Sequence, residues 1–121
     1  MKIKTSELTG KALDWAVAKS IGLPAIVTPL TPFGNLIIEG MEEDYTPSTD
    51  WSQCGQLIEK HRVELNFNSV SKEWSAYIFN FEELESVIED GDTPQIAICR
   101  AVVAARWGNE VDIPDELVEG V

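Results

Sequence analysis

Apolar residues recur along the chain with two periods, helical and alternating, and the places where one gives way to the other mark its elements. In "TSELTGKALDWAVAKSIG" Leu8, Ala12, Trp15 and Ala16 stand at helical spacing, with Thr5 or Ser6 available as the N-cap and Gly22 as the stop. "LPAIVTPLTPFGNLIIEG" then carries two short β-branched runs, 25–28 and 36–39. Pro29, Pro32 and Gly34 lie between them and break any helix, so the runs predict a strand pair.

A second helix begins within "YTPSTDWSQCGQLIEKH", where Ser48 or Thr49 offers a side-chain oxygen to free amides and Asp50 in the first turn suits the helix dipole. Trp51, Cys54, Gly55 and Ile58 fall on one narrow face. Glycine costs about 1 kcal/mol against alanine inside a helix, which suggests a close neighbour at Gly55 as compensation. "VELNFNSVSKEWSAYIFNF" alternates: Val63, Leu65 and Phe67 share one face, and beyond a turn at 69–72 so do Trp74, Ala76 and Ile78. That pattern is a hairpin with one buried side. The acidic stretch 82–92 reads as a solvated loop because of its charge density.

The last helix is the most plainly punctuated. Thr93 caps it, Pro94 takes its first position and Gly108 ends it. Apolar side chains cover most of its circumference, so it should be sandwiched between other elements. Val111 and Ile113 then alternate ahead of Pro114, and 115–121 reads as a flexible acidic end. The order α-β-β-α-β-β-α predicts one α+β domain over 1–121, with three helices packed on a largely antiparallel sheet of about four strands. A three-layer α-β-α sandwich is the alternative.

Composition narrows the function. The 121 residues hold 21 acidic and 9 basic side chains, a net charge of −12. Such a field repels nucleic acid and anionic membranes; it commonly serves only to keep a surface soluble and monomeric by self-repulsion, and it would also favour a partner protein with a basic surface. A second copy of the chain is the other partner to consider. No apolar run approaches the roughly 20 residues needed to span a bilayer. Cys54 and Cys99 read as small buried thiols suited to a reducing cytoplasm, and no histidine cluster accompanies them to hold a metal.

Candidate chemistry is sparse. Arg100 lies among Ile96, Val103, Ala104 and Trp107, where a guanidinium needs a carboxylate or carbonyl partner. Asp50, beside an inward-facing Trp51, is the candidate for a structural ion pair. Should that pair line a cleft instead, Trp15, Trp51 or Trp74 could hold a polar ligand against it. His61, at the end of the second helix, suits a role with the terminal carbonyls and has no nucleophile at triad-like spacing. The acids cluster in turn-like segments, the glycines form no phosphate-cradling loop, and no catalytic residue, cofactor or metal is called for.

Three segments taken together, "KTSELTGKALDWAVAKSIG", "YTPSTDWSQCGQLIEKH" and "TPQIAICRAVVAARWGNEVDIPDEL", resemble the NinX-like family of tailed-phage and prophage proteins, and the broader phage α-β-α sandwich domain. The resemblance implies helices on both faces of a sheet and a phage setting in the host cytoplasm. It carries no catalytic residues across. The leading expectation is a non-enzymatic accessory protein that binds another protein; the alternative is a module binding a nucleotide-like or polar metabolite, and an enzyme would need an unfamiliar site.

Overall fold

The computed structural model describes residues 1–28, 35–38, 44–80 and 83–118. The elements are β1 (Lys2–Lys4), α1 (Gly10–Ser20), β2 (Ala25–Thr28), β3 (Asn35–Ile38), α2 (Trp51–His61), β4 (Glu64–Asn68), β5 (Glu73–Asn80), β6 (Glu85–Gly91), α3 (Pro94–Trp107) and β7 (Glu110–Asp112). Short 3-10 turns occupy Thr5–Glu7 and Asp115–Leu117. The fold is α+β with three helices and antiparallel strands. Among the described residues β1 pairs with β7, β2 with β3, and β4-β5-β6 make a three-stranded sheet.

α3 organises the core. Thr93 Oγ1 accepts the Ile96 amide at 3.2 Å, Pro94 opens the helix, and Gly108 leaves it at φ 85°, a left-handed angle that suits glycine. Its buried side chains, Ala97, Ile98, Cys99 and Ala101 to Ala104, take up nearly the whole circumference. They pack against β5 and β6 and also against α1 and α2. α3 is therefore enclosed, as its apolar girth predicts. α1 and α2 gather chiefly on α3, so only one helix makes extensive contact with the three-stranded sheet.

The acidic segment expected as a loop is a strand. β6 pairs with β5 along its whole length, from Asn80↔Glu85 to Trp74↔Gly91. Its inward positions are Val87, Glu89 and Gly91, which face Ile78, Ala76 and Trp74 across the ladder. With a single apolar residue among them the alternation is invisible, and backbone pairing supplies what the side chains do not. The tail also differs. Leu117 is buried in the turn Asp115–Leu117, so the chain is held there rather than frayed; 119–121 lie outside the described residues.

The start of the first helix also differs, for a packing reason. The first helix starts at Gly10, and Thr5, fully buried, donates its hydroxyl to the Gly108 carbonyl at 2.6 Å instead of capping. β1 is too short and too lysine-rich to show in the sequence, whereas the alternation of Val111 and Ile113 falls on β7 and the residue after it. The expected β2–β3 pair is present, its ladder running Ala25↔Ile38 to Thr28↔Asn35; its connection, 29–34, and residue 39 lie outside the described residues.

Gly55 has no close neighbour. A Cβ built there meets nothing within 4 Å, which removes the packing reason proposed for it. Helix propensity then decides the outcome: Gly55→Ala should stabilise the protein by about 1 kcal/mol, read as a higher urea midpoint with an unchanged slope.

Candidate functional site

The expected Asp50–Arg100 pair is not formed. Asp50 is the N-cap of α2, its Oδ1 accepting from the Ser52 amide at 2.8 Å, the Ser52 hydroxyl at 2.6 Å and the Gln53 amide at 3.4 Å. These bonds hold its carboxyl below the usual range, the Ser52 hydroxyl first among them. Arg100 finds carbonyls: Nε donates to Leu8 at 3.0 Å and an Nη to Asp90 at 2.7 Å. The guanidinium thus ties the approach to α1 to the end of β6, and its need for oxygen is met by backbone.

The three tryptophans are not brought together. Trp15 is half-buried, with the Lys19 ammonium 5.9 Å from its ring. Trp51 is 51% exposed, because the first position of a capped helix points along the surface here, not inward. Trp74 meets Phe67 at 5.1 Å in a tilted pair. None of them lines the groove at the ends of α2 and α3 or the clefts beside Leu8, Tyr45 and Glu89.

Asp14 is the residue that sequence reasoning passed over. It is 4% exposed on α1, and its Oδ1 accepts the Ser48 amide at 2.9 Å. Burial raises its pKa from 3.8 to about 6, against the lowering effect of the Ser48 bonds. Tyr45, Cys54 and Cys99 lie close enough to feel its charge, and burial drives the Tyr45 phenol well above its usual value. The two thiols share a hydrogen bond, which favours one proton arrangement and raises Cys99 far beyond ordinary cysteine. The same bond lowers Cys54, and all four side chains are buried. Gln53 completes the arrangement: its Oε1 accepts the Thr46 amide at 2.6 Å and its Nε2 donates to the Asp44 carbonyl at 2.8 Å. Asp14 and Gln53 together pin residues 44–50 so that Asp50 can start α2. Asp14 had a visible signal, a lone acid on the stripe it shares with Val17, Ala18 and Ile21.

A different environment lies at the far end of α2. An open groove of about 760 Å³ runs between the ends of α2 and α3 and the strands β4 and β5. Lys60, His61, Arg62, Glu64 and Arg106 are among its lining residues. Arg62 is held in the left-handed conformation, φ 53°, ψ 53°, as it closes α2. His61 is lowered from its usual pKa by burial and then by Lys60. Its Nε2, shielded from water, has no hydrogen-bond partner among the described residues.

The sequence matches the protein family described as "Bacteriophage P22, NinX" over residues 4–106. The chain belongs to that family. The NinX match spans α1, α2 and α3, and so takes in both the buried Asp14 cluster and the cationic groove, whose Arg106 is its final residue. No curated protein matches the chain. Among the described residues no group of His, Cys, Asp or Glu is placed to hold a metal ion, and no helix is long and apolar enough to cross a membrane.

Proposed function

We propose that this NinX-family protein is a non-enzymatic phage accessory factor that acts in the host cytoplasm by binding another protein through β4. The observation that carries this reading is the exposed edge strand β4 of the three-stranded sheet. α3 packs on β5 and β6, while every residue of β4 is exposed. Leu65 and Phe67, on the face shared with buried Ala76 and Ile78, are 36% and 44% exposed, and Val70 at the hairpin turn is 91% exposed. The expected buried side of the hairpin is thus buried at Val63 and over β5, and open at Leu65 and Phe67.

An edge strand with free backbone groups and a half-open apolar row is a template for strand addition. On the opposite face Glu64, Glu73 and Asp90 present negative charge, which favours a basic partner. Affinity capture from phage-infected host cells should retain a partner with the natural protein and lose it with Leu65→Glu/Phe67→Glu, with binding that weakens as salt rises. Recovery of the same proteins by both would remove β4 as the contact. Sedimentation of the purified protein reports whether the partner is a second copy.

A further inference from the structure

The cationic groove has a chemistry at odds with the rest of the molecule. Lys60, Arg62 and Arg106 are three of the chain's nine Lys and Arg residues, and all three line one groove in a protein of net charge −12, Arg106 with its guanidinium 4.9 Å from the Trp107 ring. Of the 21 acids only Glu64 stands among its described lining. Helix ends explain part of this. Lys60 and Arg106 sit in the last turns of α2 and α3, where the macrodipole favours a cation.

That explanation stops short of two features. Arg62 lies beyond the last turn of α2, held by its own amide to the Ile58 carbonyl. The space itself, about 760 Å³, is within the range of sites for small organic ligands. Both are answered by one occupant, a group that is negatively charged and accepts several hydrogen bonds.

We propose that this groove binds a small phosphate-bearing anion, held by Lys60, Arg62 and Arg106, with His61 beside it in the lining. A single carboxylate would leave cationic charge over, whereas a phosphate offers more charge and oxygens on several sides to the three cations. The volume leaves room for an organic part beyond the phosphate. The net negative field does not forbid this. It opposes a long polyanion over many Debye lengths, but a small ligand samples chiefly the local potential, since screening acts over about 8 Å at physiological salt.

The chain has one histidine, so its imidazole resonances report on the groove without ambiguity. Pyrophosphate is the probe, titrated at constant ionic strength and pH 7.5, with citrate as the carboxylate comparison. The expected result is a saturable shift of the His61 signals by pyrophosphate and at least tenfold weaker binding of citrate. Arg62→Gln/Arg106→Gln should weaken pyrophosphate about tenfold or more, as the loss of charge-assisted bonds implies. Lys72→Gln, on the hairpin turn, should leave it within about twofold. Lys60→Gln, at an exposed helix position, serves in place of the double variant if that does not fold, with the same direction expected. Absence of saturation by about 10 mM, a Kd that corresponds to less than 3 kcal/mol, would overturn the proposal. So would equal binding by the groove variants, or citrate binding as tightly as pyrophosphate.

Discussion

Asp14→Asn should gain about 3 kcal/mol on the natural protein between pH 4 and pH 8. The reason is that a carboxyl 4% exposed, without a cation beside it, is easier to bury protonated than charged. Its pKa rises from 3.8 to about 6 on folding, and roughly two units correspond to about 3 kcal/mol. The sign is the reverse of the usual one for an acid. Between those two values the native state binds more protons than the unfolded chain, so stability falls as pH rises through the window, and above about 6 the penalty is complete. Asparagine keeps an oxygen for the Ser48 amide, and the Ser48 hydroxyl can accept from the new amide group. The variant therefore loses the pH dependence while keeping the contact. Urea unfolding of both proteins at pH 4, 6 and 8 checks this; a difference between them that stays constant with pH would show that Asp14 does not titrate as described.

What was legible in the sequence, and what was not, follows from how each element is stabilised. α3 announced itself because Thr93, Pro94 and Gly108 each act locally and its buried residues are apolar on nearly every side. The β4–β5 hairpin was likewise readable from Phe67, Trp74, Ala76 and Ile78 in strict alternation. β6 was not, since Glu89 and Gly91 occupy inward positions and the strand depends on the ladder to β5. β1 meets β7 from the other end of the chain, and Ile3↔Val111 is the only apolar pair between them. No short-range pattern records such a meeting.

The candidate site divides in the same way. That Arg100 needs oxygen partners is written in its apolar surroundings, and the need is real. Which oxygens is not written, because the carbonyls of Leu8 and Asp90 belong to the backbone and carry no residue-type signal. Asp50 was competent to pair, yet its position at the start of α2 gave it nearer donors in Ser52 and Gln53. The groove was the least visible of all. Lys60, His61 and Arg62 are adjacent in sequence and read as a helix end, and only the fold brings Arg106 across to them.

Gly91→Ala should destabilise the protein by roughly 3 kcal/mol, the opposite sign to the same change at Gly55. A Cβ at Gly91 would stand 2.7 Å from the Ala97 amide nitrogen and 2.9 Å from Ile96 Cγ2. Both lie in the first turn of α3, which rests directly on the end of β6. The Ile96 methyl can yield; the Ala97 nitrogen cannot, because its N–H donates to the Thr93 carbonyl at 3.1 Å as part of the helix start. Relief therefore requires α3 to lift from the sheet, and the core that α3 shares with α1 and α2 would be disturbed with it. Thermal unfolding should show a drop of roughly 10 °C. The contributions separate in a double-mutant cycle with Ile96→Ala: removing the methyl contact should recover only part of the loss, leaving the share due to the backbone. Full recovery would mean that the side chain alone is in the way, and that β6 and α3 are less closely seated than Gly91 implies.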